Sequence, residues 1–225
     1  MKKTLIGFAV VIGLGLSGCQ YITFQGVKYR NGGAHSASLG SLGIVRTELN
    51  HIFEPQATPN WKNINVIKVA EFTSSYTTGY HIVGEVKRGE LNNFTSKNDG
   101  NSTSSGIKHI FEIKDKSKLI AQINNNERLK KKLLSNKNYR IITSTMHVFS
   151  HSYSQNFSSK NSVDFKLNNN KVTGRANGYR GKTLDIADGT IIGYQYSRVC
   201  WKKDKAIMLL VDRPGPDSCK NAIKK

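Results

Sequence analysis

The stretch Lys116-Ser117-Lys118-Leu119-Ile120-Ala121-Gln122-Ile123-Asn124-Asn125-Asn126-Glu127-Arg128-Leu129-Lys130-Lys131-Lys132-Leu133-Leu134 is the one part of the chain with convincing helical spacing. Leu119, Ile120, Ile123, Leu129, Leu133 and Leu134 recur at intervals that place them on one helix face. Asp115 or Ser117 can cap the start, and Asn136 can end it. Arg128, Lys130, Lys131 and Lys132 lie beside the apolar stripe. With Lys137 they form the densest basic cluster in the sequence.

On both sides of this stretch the period drops to that of strands. Gln20–Arg30 alternates and carries β-branched and aromatic residues, so it reads as one strand. Residues 31–43 are rich in Gly and Ser and read as a flexible loop. Ile44–Phe53 reads as a short strand with a turn of helix, and residues 56–63 as a loop. Asn65–Phe72, Tyr76–Glu90 and Ile107–Lys114 read as strands. Asn92–Gly106 has few apolar residues and reads as a loop. After the helix, Tyr139–Tyr153 and Phe157–Val172 read as two long strands, rich in Ser and Thr, that can form a hairpin. Thr190–Trp201 and Ala206–Val211 follow, with a lysine-rich turn between them. One main basic helix among mostly antiparallel strands predicts an α+β fold.

The N-terminus carries a different signal. Met1-Lys2-Lys3 precedes an apolar run, Leu5 to Leu16, that closes in Leu16-Ser17-Gly18-Cys19. A positive start, a short apolar run and small residues make an export leader. Cys at the cut resembles the lipobox of bacterial lipoproteins. That resemblance implies diacylation of Cys19, removal of residues 1–18, and anchoring in a membrane. The run of about a dozen residues is short of the roughly 20 that a spanning helix needs. Gln20, rather than Asp, after the modified Cys implies sorting to the outer membrane in a cell with two membranes.

The chain has 34 basic and 15 acidic residues, a formal charge of +19, and loss of Lys2 and Lys3 with the leader lowers this by two to +17. So basic a balance favours polyanionic partners such as acidic lipid or lipopolysaccharide, and export disfavours nucleic acid. Cys200 and Cys219 remain as an even pair in an oxidising compartment, so a disulfide is expected. The six His show no ligand spacing. His147 and His151, four apart on a strand, lie about 13 Å apart at ~3.3 Å per residue, too far for one metal ion. The sequence has no Gly-x-Ser-x-Gly elbow and no phosphate loop. No enzyme activity, metal or cofactor is expected.

Several short segments, in order, resemble the N-terminal pore-forming domain of gasdermins. They are Leu49-Asn50-His51-Ile52-Phe53-Glu54-Pro55, Tyr80 to Val86, Asn126 to Asn138 running into Tyr139-Arg140-Ile141-Ile142-Thr143, Asp188 to Val199, and Met208-Leu209-Leu210. The resemblance covers about residues 44–212. It implies a twisted sheet whose long hairpins, here roughly Val66–Ile113 and Tyr139–Val172, can refold into a membrane and assemble into a ring of identical copies. It also puts Arg128, Lys130, Lys131, Lys132 and Lys137 against acidic headgroups. Three departures stand beside it, the first being that only about a dozen residues follow Asp212 where the family has a C-terminal inhibitory segment. The chain passes from Cys19 directly into a strand, where the family has a basic amphipathic helix. The loop Asn31 to Ser36 lacks the family's bulky aromatics.

The expected layout is a leader (1–18), an anchored strand and loop (19–43), an α+β domain (44–212) and a disulfide-tethered tail (213–225). Two functions fit: an anchored envelope protein that binds acidic membrane and inserts into it, or an anchored module that binds a protein or polyanionic glycan without forming pores.

Overall fold

The computed structural model describes residues 21–46, 52–75, 79–87, 90–93, 107–150, 163–169, 171–176, 183–212 and 219. Cys19, Gln20, the leader, His151 and most of the C-terminal tail lie outside the described residues. The first strand pattern is two strands, β1 (Tyr21–Phe24) and β2 (Val27–Arg30). Gln25 and Gly26 both take positive φ, at 47° and 76°. Two such residues make the tight turn whose twist matches a hairpin. Phe24 therefore pairs with Val27 and Tyr21 with Arg30.

The segment expected to be a flexible loop is packed. Ala34, Ala37 and Leu39 are buried. Gly40 takes a positive φ of 80°, and a Cβ there would sit 2.9 Å from the Trp61 ring. The Trp61 indole donates a 2.7 Å hydrogen bond to the Gly40 carbonyl. Only glycine fits so close an approach in that conformation.

The chain continues through β3 (Leu42–Arg46), β4 (Ile52–Ala57), β5 (Trp61–Ser75), β6 (Gly79–Lys87), β7 (Glu90–Asn93) and β8 (Ile107–Ile113). Two helices follow, α1 (Lys116–Asn124) and α2 (Glu127–Ser135). Then come β9 (Tyr139–Phe149), β10 (Val163–Asn169), β11 (Lys171–Ala176), β12 (Thr183–Asp185), β13 (Thr190–Lys202) and β14 (Lys205–Val211). All fourteen described strands belong to one sheet with the main order β1-β2-β13-β9-β8-β5-β10-β11-β12. β14 adds to β13, β4 reaches β9 through β3, and β7 reaches β5 through β6. The strand pairings are antiparallel.

This corrects the α+β expectation. The fold is β-rich, and the single main helix is two helices of nine residues each. The break is at Asn124-Asn125-Asn126. Asn126 leaves helical geometry, and its side chain accepts a 3.0 Å hydrogen bond from the Leu129 N–H. Asn favours such a cap over a helix interior because its amide competes for backbone groups. Asp115 caps α1 and Asn136 ends α2, as the spacing implied. Leu119, Ile123, Leu129 and Leu133 reach the core, but Leu134 is left 43% exposed.

A second correction concerns the hairpin expected over 139–172. β9 and β10 do not pair, because β8 and β5 lie between them in the sheet. β9 is a central strand, bordered by β13 on one edge and by β3 and β8 on the other. Its Thr143, Ser144 and Thr145 are buried. Polar residues sit there at low cost because each hydroxyl is bonded: Thr143 to Ser197 Oγ at 2.8 Å, Ser144 to the Phe111 carbonyl at 3.1 Å, and Thr145 to His147 Nε2 at 2.9 Å. The main core lies on one side, around Trp61, Phe111, Phe165, Ile142 and Tyr194. A smaller cluster of Phe24, Tyr29, Ala70, Ile110 and Met146 forms apart from it.

Candidate functional site

Three groups of polar side chains carry chemistry. The first is built where β2, β9 and β13 meet. Tyr194 pairs with Arg30, and Ser197 with Ile141, so Arg30, Tyr196, Arg198 and Arg140 gather near one place. Asp212, just past β14, joins them. Arg140 Nε lies 2.6 Å from Asp212 Oδ2, and Arg198 bonds the other carboxylate oxygen. Arg140 also donates to the carbonyls of Lys137 at 2.7 Å and Tyr139 at 2.9 Å. Burial alone would raise the Asp212 carboxyl. The hydrogen bonds and charges of Arg140 and Arg198 outweigh it and hold the pKa below its ordinary value. Arg30 lies 4.8 Å from the centre of the Tyr196 ring and 5.2 Å from that of Tyr21, whose hydroxyl accepts from it at 2.9 Å. Lys28 lies 5.8 Å from the same Tyr21 ring. Burial pushes the Tyr196 hydroxyl up to about 12, against the opposing charge of Arg30. Two arginines share one aspartate, and Arg30 sits on the neighbouring Tyr196 ring, so the group is cationic.

The second group is the basic cluster expected from the sequence, and the fold divides it. Arg128, Lys131 and Lys137 are exposed. Lys130 is half-buried and paired with Glu127 at 2.7 Å. Lys132 is half-buried, 5.9 Å from the Tyr139 ring centre. Leu129 and Leu133 take the inner face of α2, so Arg128, Lys131 and Leu134 form a row on its outer side.

The third group has no counterpart in the sequence reading. Glu71 pairs with His109 across β5 and β8, and His109 with His147 across β8 and β9. They form one row inside the sheet's main face. Lys68 Nζ is 2.6 Å from Glu71 Oε2, which is 3.7 Å from His109 Nδ1. Phe111 and Phe149 surround the imidazoles: the His147 ring stacks on Phe149 at 5.8 Å, and His109 meets Phe149 edge-on at 5.3 Å. Burial, then the charge of Lys68 and the neighbouring His147, lowers His109 to about 2. Burial lowers His147 to about 4, against the nearby carbonyls of Gly189 and Ile186. Both imidazoles are neutral at pH 7. Strand register alone brings these residues together. The sequence signal that exists, a histidine in each of two strand patterns, does not give register.

Among the described residues no three His, Cys, Asp or Glu side chains converge so as to hold a metal ion. Cys200 and Cys219 form a disulfide, with Cα atoms 5.4 Å apart. No described helix is long and apolar enough to cross a membrane. No protein-family model, no curated protein and no solved structure matches the chain.

Proposed function

We propose that the protein is an envelope lipoprotein, anchored through acylated Cys19, whose basic β-domain binds an acidic membrane surface without opening it. Each buried acyl methylene adds about 0.8 kcal/mol, so two chains make a stable anchor. The observation that carries the surface-binding part is the outer row of α2. It offers Arg128 and Lys131 with an exposed leucine, Leu134, beside exposed Lys137. Gln20 favours the outer membrane as the place of anchoring.

The saturated sheet favours binding over insertion. β9 has partners on both edges, and its Thr143, Thr145 and His147 are buried. Drawing it into lipid would set those polar side chains against hydrocarbon, where an unbonded hydroxyl costs roughly 2–7 kcal/mol.

Flotation with vesicles of acidic and of neutral lipid tests the reading. The double substitution Arg128→Gln with Lys131→Gln should weaken attachment to acidic vesicles by about 2 kcal/mol at low salt, roughly 30-fold. Equal binding to both vesicle types removes the surface role. Release of an entrapped dye would replace binding by insertion. An intact mass that retains residues 1–18 and lacks acyl chains removes the anchor.

A further inference from the structure

We infer that the outer face of the β1–β2 hairpin, carrying Tyr21, Lys28 and Arg30, lies against the anionic phosphate headgroups of the leaflet that holds the anchor. The inference rests on the acylation of Cys19 proposed above, and it assigns the surface and orientation that follow from it.

The covalent chain sets the distance. Two Cα-to-Cα steps, through Gln20, join Cys19 to Tyr21, and two steps span at most ~7 Å in any conformation. The headgroup layer on each side of a bilayer is about 5–8 Å thick. The strand β1 begins at Tyr21. A lipid on Cys19 therefore holds the start of a folded strand within about one headgroup layer of the acyl chains. The domain has no spacer with which to stand off.

The register decides which side of the hairpin is outward. Phe24 and Tyr29 are buried against Ala70, Ile110 and Met146. Tyr21 faces Arg30, and Thr23 faces Lys28, in the alternate positions. Those four side chains stand on the side away from Phe24 and Tyr29. Between Cys19 and Arg46 the sequence has no Asp or Glu, while Lys28, Arg30 and Arg46 are basic. The stretch nearest the anchor thus adds no acidic side chain of its own to oppose anionic lipid. Its geometry is also set in advance. Arg30 is held between the Tyr21 and Tyr196 rings, and Lys28 lies over Tyr21. A tyrosine flanked by cations suits the bilayer interface, where a ring can rest among headgroups with its hydroxyl still wet.

The test uses full-length acylated protein in vesicles containing phosphatidylglycerol, with and without brominated acyl chains. The added indole of Tyr21→Trp should be quenched by the brominated lipid. That of Lys166→Trp, at an exposed position of β10 six strand positions away along the sheet, or ~29 Å at ~4.8 Å per strand, should not. Trp61 and Trp201 give both variants the same background, so the difference between variants is the readout. Equal quenching in the two variants, or none in Tyr21→Trp protein that floats with the vesicles, overturns the orientation and leaves the anchor standing. Protein that does not float overturns the anchor, and the orientation with it. Lys28→Gln, an exposed change that leaves the hairpin's buried side intact, should speed transfer between vesicles about fivefold at low salt and less at high salt. An unchanged transfer rate overturns the headgroup contact.

Discussion

The strand β9 carries a buried ionisable side chain near each of its ends, and the two behave in opposite ways. Arg140, near the start, keeps its charge and shares Asp212 with Arg198. His147, seven residues or about 23 Å further on, is neutral and sits in a row with His109 and Glu71. Both sites withdraw nitrogen groups from water. The difference is chemical. A guanidinium cannot release its proton at any ordinary pH, so burying it requires a partner charge and fixed acceptors. An imidazole can lose its proton near neutrality, so burial neutralises it. One end of the strand is therefore held by charge. The other holds only while the pH keeps its histidines neutral.

Acid should separate the two ends most strongly. A base whose folded pKa is depressed is favoured neutral in the folded state, while the unfolded chain takes up protons from about pH 6.5 downward. The stability due to His109 and His147 is complete above that pH. It falls as pH drops through 6.5, continues to fall to about 4 for His147, and continues to about 2 for His109. At pH 5 each histidine accounts for on the order of 2 kcal/mol, and the pair for on the order of 4. Urea midpoints at pH 7.5 and pH 5.0 measure this directly. Replacing His147 by Gln should remove about half of the slope. A midpoint that does not move over this range would mean that the imidazoles reach solvent.

Asp212→Asn breaks the other end. It leaves Arg140 and Arg198 facing a neutral amide, with the Arg140 side chain only 10% exposed. Removing one partner of a buried pair costs 3–5 kcal/mol, and partial exposure here reduces that to about 2. The pH dependence has the same sign as that of the histidines but lies at lower pH, in the carboxyl range. The wild-type carboxylate contributes fully above the ordinary carboxyl range and is lost as pH falls through its depressed folded value. Wild type and variant should differ at pH 7 and converge in strong acid. Chemical denaturation of both across that range decides it, and a constant gap would assign the loss to packing.

Much of this architecture is legible in the residues. Ile107–Ile113, Thr190–Trp201 and Ala206–Val211 show their β period. Asp115 and Asn136 mark helix ends, and Cys200 with Cys219 marks the disulfide. Three features escape for physical reasons. The Asn126 cap lies inside a continuous apolar period, and propensity sums cannot say that a side-chain amide will take the Leu129 N–H. Gln25 at positive φ is uncommon for a residue with a side chain, so the hairpin turn reads as uninterrupted strand. Thr143 and Ser144 look like a poor core because their hydroxyl partners, on neighbouring strands, cannot be seen along one chain. The surface cluster is half legible: all five cations are evident, but only the fold tells exposed Arg128, Lys131 and Lys137 from half-buried Lys130 and Lys132. The histidine row depends on register across three strands and has no linear trace.

The smallest expected effect tests whether burial, rather than the count of charges, sets the value of the arginine end. Arg198 and Arg140 bond the same carboxylate, yet the Arg198 side chain is 32% exposed and that of Arg140 only 10%. Water already screens the outer arginine, and Arg140 alone still compensates Asp212. Arg198→Gln should therefore cost less than about 1 kcal/mol, as exposed ion pairs usually do. Arg140→Gln also removes the bonds to the Lys137 and Tyr139 carbonyls, so it should cost clearly more. Equal losses in the two variants would show that Asp212 draws on both cations alike. The value of the site would then follow the number of charges, and the contrast with the histidine row would rest on charge alone.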